Sequence, residues 1–263
     1  MEARRCYEAA VKRAALADIA HRRHLVAAPV GVGHVRELLG WLAPPTGGRV
    51  LDLGTGYGAW LLELLTFRED LTGVGIDLSL PDGLAEATQD SGVGDRVRWE
   101  QADAIGWDGG LFDVVVCVGA SHAFGGLAGT LTAVRRHLRP GGQVVLGDTF
   151  WETPPSPAAL TALEVAVDDL PDLPGFVAAV AEASFEPGVG HVSTVAEWDD
   201  YEWSWTGSLV DWALREAPTD ADREQALTAA REHRQQWLSG YRGVLGFATL
   251  VLHDVAAPQT TRL

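Results

Sequence analysis

Three aspartates and a run of glycines are the residues of this sequence with the clearest chemical potential. Asp52 stands two residues before Gly54 in the stretch VLDLGTGYGAW, Asp77 follows in GIDLS, and Asp103 comes later in QADA. Alternate glycines let a backbone turn approach a ligand closely, and a carboxylate about 20 residues further on can accept hydrogen bonds from ribose hydroxyls. The spacing therefore predicts a site for a nucleotide-like ligand.

The acids narrow the choice of ligand further than the glycines do. Gly54-x-Gly56 followed by Ala59 also satisfies the loose dinucleotide pattern, so the turn by itself is compatible with NAD. Asp52, however, would lie beside a pyrophosphate and repel it, whereas an ammonium or sulfonium cation would be attracted. Asp103 is placed to accept a hydrogen bond from an adenine amino group.

A parallel sheet is the element that could bring these acids to one edge. The strands predicted from apolar runs are VLDLG, LTGVGIDLS, RVRWEQAD, FDVVVCVGA and QVVLGD, and the helices between them are AWLLELLTF, LPDGLAEATQDSG and LAGTLTAVRRHL. Strands alternating with helices predict a parallel sheet covered on both faces. In such sheets ligands bind beyond the carboxyl ends of the strands, where the chain order reverses.

Helical segments flank this core on both sides. After three prolines the sequence predicts a helix over residues 158–170, a helix at PGFVAAVAEASF, a short strand near GHVSTV and two long helices, AEWDDYEWSWTGSLVDWALREA and ADREQALTAAREHRQQWLSGYR. We expect a single domain over residues 1–263. Its parts are an N-terminal helical cap (1–45), a cofactor-binding core (48–150), helical lid elements with a late strand (151–242) and a final strand (243–255).

Composition limits the compartment and the partners. No apolar run approaches the about 20 residues that span a bilayer, and the N-terminus lacks the apolar centre of a secretion signal. Of the two cysteines, Cys6 and Cys117, the second lies in the run FDVVVCV, which predicts a buried reduced thiol and a cytoplasmic protein. Lys12 is the only lysine among twenty basic residues, as is typical of a GC-rich genome, and we expect a bacterial source.

Charge and histidine spacing exclude two other kinds of site. The formal net charge is -16, which repels phosphate backbones and argues against nucleic acid as a partner. The eight histidines and two cysteines show no metal-ligand spacing, and His21 and His24, three apart on one helix, have no nearby thiolate. We therefore expect no metal, no membrane and no nucleic acid.

Together with the turn RPGG before the fifth strand, the motifs VLDLGTGYG, GIDLS, QADA and FDVVVC make the chain resemble the class I S-adenosylmethionine-dependent methyltransferases over roughly residues 50–148. The resemblance implies an α/β fold: a Rossmann-like, doubly wound, mostly parallel seven-stranded sheet with a helical N-terminal segment and helical lid insertions. It also implies S-adenosylmethionine as cofactor and S-adenosylhomocysteine as product.

The same resemblance assigns cofactor contacts position by position. Asp52 would support the glycine loop or the amino group of the cofactor, Asp77 would hold the ribose, and Asp103 would meet the adenine. The remaining positions implied to bind the cofactor are Gly54, Thr55, Gly56 and Gly58 against the methionine part, Leu78 beside the ribose aspartate, Ala104 beside the adenine aspartate, and Gly119 after the fourth strand. For each acid taken singly, a helix cap or a solvated loop carboxylate is the alternative.

Two residues are candidates for catalysis. His122 in VGASHAFGG follows the fourth strand, in the segment that faces the transferred methyl group in the resembled family, and Glu152 follows the fifth strand at the same sheet edge. The alternatives are a histidine that fixes the loop and an ordinary loop carboxylate. Positioning contributes ~7 to 11 kcal/mol and a general base a rate factor of about 10² to 10⁴, so methyl transfer does not require an obvious base.

Aromatic residues of the lid are the substrate-binding candidates. Tyr201, Trp203 and Trp205 alternate in YEWSW; in a helix the first and last share a face and Trp203 turns away, whereas in a strand all three share one. Aromatic rings among carboxylates can bind an organic cation or a flat ring, and packing of the lid onto the sheet is the alternative. The candidates outside this stretch are Tyr7, His24, His34 and Trp151.

The sequence thus predicts methyl transfer from S-adenosylmethionine to a small organic acceptor, and it leaves open the attacked atom and the oligomeric state. After the fourth strand this chain reads VGAS, where other families of the resembled fold carry a proline-rich tetrapeptide that acts on amide or base nitrogen; this argues against methylation of DNA amino groups. The alternatives are non-methyl chemistry with the same cofactor and ligand binding without turnover. An NAD-dependent oxidoreductase is disfavoured by Asp52 and by the lack of a Tyr-x-x-x-Lys pair.

Overall fold

A seven-stranded sheet forms the centre of the protein. The computed structural model describes residues 15–24 and 26–256. Its strands are β1 (Arg49–Leu53), β2 (Thr72–Asp77), β3 (Val97–Gln101), β4 (Phe112–Val118), β5 (Leu138–Trp151), β6 (Phe185–Val192) and β7 (Leu245–Asp254). They lie in the order β3-β2-β1-β4-β5-β7-β6, with β7 antiparallel to β5 and β6 and the other pairs parallel. The predicted fold class is confirmed.

Helices cover both faces of this sheet. They are α1 (Val32–Leu39), α2 (Ala59–Phe67), α3 (Leu84–Asp90), α4 (Leu127–His137), α5 (Pro157–Leu163), α6 (Leu173–Glu182), α7 (Val195–Arg215) and α8 (Asp220–Gln236), and residues 15–21 are also helical. Alternate residues of β4 separate two apolar clusters: Val115 and Cys117 pack with α4 and α6, whereas Val114 and Val116 pack with α1 and α2. No helix in the described ranges is long and apolar enough to cross a membrane.

The fifth and sixth strands correct the predicted boundaries. The motif RPGG, predicted as a turn before the fifth strand, lies inside β5, where Gly141 has φ +76° and the register against β4 shifts. A left-handed glycine inserts extra residues into the strand without ending it. The strand predicted near GHVSTV begins earlier, at Phe185.

Two predicted lid helices end earlier than the sequence pattern indicated. The helix expected over residues 158–170 ends at Leu163, because Glu164 takes a left-handed conformation with φ 55°. The last long helix ends at Gln236, and Trp237–Tyr241 continue as a π-helical turn. The stretch YEWSW lies within α7 and is therefore helical, not a strand. The single-domain organisation stays a prediction.

The order of strands places a crevice beside β1. That strand pairs with β2 on one side and β4 on the other, so the chain proceeds in opposite directions from this point of the sheet. Loops after β1 and β4 therefore diverge at their carboxyl ends, which is where ligands bind in doubly wound sheets.

Candidate functional site

The glycine turn after β1 has the conformation that its sequence requires. Gly54, Gly56 and Gly58 all have positive φ, at 73°, 50° and 74°. The N–H groups of Gly54 and Thr55 both donate to the carbonyl of Ile76, each over 2.9 Å, which ties the turn to β2. Other residues rarely adopt these angles, so the glycine spacing follows from the backbone path.

The space around each glycine separates packing from ligand access. A Cβ at Gly54 would lie 2.4 Å from the Cβ of Ala120, and one at Gly58 would lie 2.5 Å from the ring of Trp99. A Cβ at Gly56 would meet nothing within 4 Å. The turn is thus packed at its two ends and open in its middle, as a loop that receives a ligand must be.

Asp52 is buried directly beneath this turn. Asp52 is only 3% exposed, and the hydroxyl of Thr55 donates to its Oδ2 over 2.7 Å. Burial raises the pKa of Asp52 to about 7, with the charge of Asp77 acting in the same direction and the hydrogen bond from Thr55 opposing it. The carboxyl group can therefore gain or lose a proton near neutral pH.

Asp77 and Asp103 lie at the ends of the next two strands. Asp77 accepts the N–H of Gly56 over 2.9 Å and that of Ser79 over 3.2 Å, so it fixes the open middle of the turn. Asp103 is exposed and accepts the N–H of Ile105 over 2.9 Å. The structure thus places the three predicted acids at neighbouring strand ends, and their contacts with a ligand stay predictions.

The residues beside these two acids differ in exposure. Leu78 is 65% exposed at the sheet edge, where a ligand could cover it, whereas Ala104 is 8% exposed and packs into a core cluster. Of these two neighbours, Leu78 therefore offers the free apolar side chain at this edge.

The N-terminal helical segment, predicted as a cap, makes one contact with this edge that the sequence did not reveal. The hydroxyl of Tyr57, within the glycine turn, donates to the carbonyl of Asp18 over 3.2 Å. Burial and the negative charges of Asp82 and Asp77 raise the pKa of the Asp18 carboxyl. A tyrosine between two loop glycines was the available signal, and the result is an edge surrounded by carboxylates.

The loop after β4 forms the opposite wall. Gly119 has φ 73°, and its N–H donates to the carbonyl of Gly147 over 2.9 Å. The exposed His122 lies in a 3-10 turn, Ser121–Phe124. The hydroxyl of Ser121 donates over 2.8 Å to Asp148, a buried acid that the sequence analysis did not single out.

Asp148 is joined by a hydrogen bond to Ser121, the residue before His122, whereas Glu152 is turned to solvent. Burial raises the pKa of Asp148, while hydrogen bonds from Ser121 and Thr149 and the charge of His122 oppose the rise. Glu152 is exposed, and its backbone N–H donates to the carbonyl of Val244 over 2.9 Å. The catalytic roles of His122 and Glu152 stay predictions.

A cavity of about 220 Å³ lies between the segment before α1 and helix α7. His24 and Tyr201 stack there with ring centroids 4.3 Å apart, and the Nε2 atom of His24 is 2.9 Å from the carbonyl of Tyr201. The carbonyl of Ala27 lies 3.6 Å from a Cβ built on Gly119, so this segment passes over the loop after β4. The other lining residues are Arg23, Val26, Ala28, Val30, Gly31, Val32, Glu197, Asp200 and Ser204.

The predicted aromatic candidates divide between this cavity and the packed interior. Tyr201 lines the cavity, and burial raises its hydroxyl pKa. Trp205 stacks on His233 at 3.8 Å, and Trp203, 50% exposed, packs edge-on against Trp237 with ring centroids 5.2 Å apart. Trp151 is buried, and its indole N–H donates over 2.9 Å to the carbonyl of residue 167, which gives it a packing role. Tyr7 lies outside the described residues.

Glu197 joins three segments at the rim of the cavity. Its Oε1 lies 2.9 Å from Nδ1 of His34, and both oxygens lie 3.0 to 3.1 Å from Nε2 of His191. Gly31 and Thr194 donate backbone N–H groups to the same carboxylate over 3.0 and 2.9 Å. Burial would raise the pKa of Glu197, but the hydrogen bonds from Gly31, Thr194 and His34 outweigh it and hold the pKa at about 2.

A buried acid on α7 links the two long lid helices. Glu202, 2% exposed on α7, lies 2.6 Å from Nε2 of His233 on α8 and accepts the hydroxyl of Tyr241 over 2.8 Å. Both of these partners come from the segment after residue 230. The network therefore holds the lid helices together.

Comparisons with known proteins agree with this geometry. A family model described as a methyltransferase domain matches residues 20–169, more than half of the chain. A crystal structure of an S-adenosylmethionine-dependent methyltransferase from Thiobacillus denitrificans, in complex with S-adenosyl-L-homocysteine, superposes with a TM-score of 0.79 at 27% identity, covering 89% of this chain and 96% of that one. This chain belongs to the class I S-adenosylmethionine-dependent methyltransferase family. The predicted family is confirmed.

Two curated relatives share the sequence of this methyltransferase-family chain over part of their length. The uncharacterized protein YjhP of Escherichia coli (strain K12) is 32% identical over 163 residues, which are 59% of this chain and 64% of YjhP. The 27-O-demethylrifamycin SV methyltransferase of Amycolatopsis mediterranei (strain S699) is 33% identical over 129 residues, 48% of this chain and 47% of that enzyme. The chain thus spans less than two thirds of either relative.

Proposed function

We propose that this protein transfers a methyl group from S-adenosylmethionine to a small organic acceptor. The observation that carries the proposal is the glycine turn at the reversal point of the sheet, with Asp52, Asp77 and Asp18 around it. Carboxylates favour a cationic sulfonium ligand and repel the pyrophosphate of a dinucleotide. The carboxylates around the turn therefore favour S-adenosylmethionine over NAD.

The residues at this edge fit such a cofactor. Gly56 leaves open space where the ligand backbone would approach, and the exposed Leu78 offers an apolar surface beside Asp77. Asp77 would hold the ribose hydroxyls, and Asp103 would accept from the adenine amino group. When bound, S-adenosylmethionine supplies an already activated methyl group, so this chain has to orient the acceptor and exclude water.

The cavity beside α7 is the proposed acceptor site. Its wall combines apolar residues of the segment 26–32 with the stacked pair His24 and Tyr201, and it adjoins the loop that carries Gly119. Alignment of two reactants in such a site contributes ~7 to 11 kcal/mol. His122 follows Ser121, whose hydroxyl donates to the buried Asp148, and it is the proposed base when the acceptor must lose a proton.

We further place the enzyme in the cytoplasm of a bacterium. Both curated relatives named above come from bacteria. Cys117 is a buried free thiol, and burial raises its pKa, which suits a reducing compartment. The proposed partner is a small molecule, and the charge of -16 argues against nucleic acid.

Calorimetric titration tests the cofactor half of the proposal. The purified protein is titrated in parallel with S-adenosylmethionine, S-adenosylhomocysteine and NADH, and we expect saturable binding of the first two without the third. Binding of NADH alone would overturn the proposal. Incubation with methyl-labelled cofactor and a panel of phenols, amines and thiols, read by mass spectrometry, then tests transfer.

A matched pair of variants tests the assigned ribose site. Asp77→Ala should weaken S-adenosylmethionine binding about 10- to 100-fold, because a hydrogen bond to a charged group contributes roughly 1.5 to 3 kcal/mol. Asp90→Ala removes an exposed acid at the end of α3 and should leave the affinity unchanged. Equal affinities in the two variants, with both folded by circular dichroism, would refute the assignment.

A further inference from the structure

Two imidazoles and one carboxylate converge at the rim of the cavity. His34 on α1, His191 on β6 and Glu197 on α7 each offer a ligand atom, and these atoms all lie within 4.8 Å of one another. Separations of 2.9 and 3.0 Å join the carboxylate to the two rings. Ligands bound to one tetrahedral ion at about 2.1 Å are roughly 3.4 Å apart, so small movements would accommodate an ion here.

The surroundings of Glu197 hold its carboxylate in place without the histidines. Thr194 donates both its N–H and its hydroxyl to Oε2, and Gly31 donates its N–H to Oε1. Outer hydrogen bonds of this kind orient metal-ligating carboxylates. The two ring nitrogens therefore meet an acceptor that is already fixed by backbone contacts.

The two histidine rings face each other on one side of Glu197. The centroids of His34 and His191 are 3.8 Å apart with an interplanar angle of 20°. A divalent ion bound to both rings and to Glu197 would therefore lie between the three ligands, whose ligand atoms are all within 4.8 Å of one another.

We infer that His34, His191 and Glu197 form a binding site for a divalent transition-metal ion of the zinc class. In the metal-bound form, the ring nitrogen that faces Glu197 in this structure gives its lone pair to the ion, and the ring proton lies on the other nitrogen. A ring that carries protons on both nitrogens releases one of them on binding. Three protein ligands leave a fourth position open, as in catalytic zinc sites. Because Glu197 lines the cavity, that ion lies at the cavity wall.

The site is partly exposed to solvent, and its three ligands come together only in the folded chain. The side chains of His34, His191 and Glu197 are 45%, 14% and 15% exposed. The histidines are separated in the chain by more than 150 residues, so no ligand spacing appears in the sequence. The site does not depend on methyl transfer and can be tested in the protein without cofactor.

Zinc titration of the chelator-treated protein, followed by calorimetry, tests the inference. We expect one Zn²⁺ per chain in the wild type and at least about tenfold weaker binding in both His34→Gln and His191→Gln. Glutamine keeps an N–H donor for Glu197 but is a poor zinc ligand, so the variants lose the ligand while retaining the hydrogen bond. His253→Gln alters an exposed histidine on β7 and should bind zinc as the wild type does.

Cobalt substitution gives a second readout that does not depend on activity. Co²⁺ bound by these three ligands and water should show the visible absorption of a four-coordinate ion, and both cluster variants should lack it. Absence of saturable binding in the wild type would overturn the inference. So would unchanged affinity in both variants, which would move binding to another group such as His21 and His24, whose Nδ1 atoms lie 3.0 Å apart.

Discussion

Replacement of Asp52 by asparagine tests the electrostatics of the glycine turn directly. In the folded protein the pKa of Asp52 is about 7, against an ordinary value of 3.8. Between about pH 4 and pH 7 the folded protein therefore keeps a proton on Asp52 that the unfolded chain has lost, so this group makes stability fall as the pH rises. At 1.36 kcal/mol per pKa unit, this group lowers the free energy of unfolding by up to about 4 kcal/mol above pH 7.

An asparagine side chain in place of Asp52 would remain neutral at every pH, while its amide oxygen could still accept the hydroxyl of Thr55, which now lies 2.7 Å from the carboxylate. We therefore expect Asp52→Asn to resemble the wild type near pH 4 and to exceed its free energy of unfolding at pH 8 by up to about 4 kcal/mol. For a chain of this size that corresponds to a rise in Tm of roughly 8 to 16 °C.

Urea denaturation of both proteins between pH 4 and pH 8 measures this difference. Other titrating groups are common to the two proteins and cancel in the comparison, and the exposed Asp90→Asn serves as a control that should show no such trend. A difference between wild type and Asp52→Asn that stays constant with pH would show that Asp52 is ionised throughout, and the reasoning about its burial would fail.

Cofactor binding should also depend on the ionisation of Asp52, but here the ionised form should strengthen binding. A cationic ligand favours the ionised form of Asp52, so binding below pH 7 should release a proton. Calorimetry in two buffers of different ionisation enthalpy should detect that proton, and the affinity of the wild type should rise between pH 5 and pH 8. In Asp52→Asn both effects should disappear; their persistence would assign them to another group.

Three further predictions concern the turn, the lid and the loop after β4. Gly54→Ala should lower stability more than Gly56→Ala in thermal denaturation, because both have positive φ but only the first would create a clash, at 2.4 Å; equal losses would contradict this packing. Glu202→Ala should lower the free energy of unfolding by about 1 to 3 kcal/mol, since it leaves the buried hydroxyl of Tyr241 without its acceptor, and an unchanged Tm would refute that role. His122→Ala should lower kcat by about 10²-fold or more without changing cofactor affinity, whereas an unchanged kcat would leave it a structural role.

Local features of the sequence determined the fold class and the cofactor edge. Alternating apolar strands and helices specified a parallel sheet, since each periodicity is fixed by neighbours within a few residues. The positions of Gly54, Asp52 and Asp77 were readable because a strand, a tight turn and a helix follow one another in the chain. Boundaries at RPGG and at Glu164 were wrong where a left-handed residue, rather than hydrophobic pattern, decided the path.

The tertiary structure decided which residues line the proposed acceptor site. His24 stacks on Tyr201 across 177 residues of chain, and His34 meets Glu197 across 163, contacts that no spacing rule reveals. Trp203 and Trp205 likewise pack against Trp237 and His233, residues at or just after the end of α8. A site can be read from the sequence where its residues are neighbours in the chain. Where a site is assembled from separate helices, packing of the apolar faces chooses the neighbours, and only the folded chain shows them.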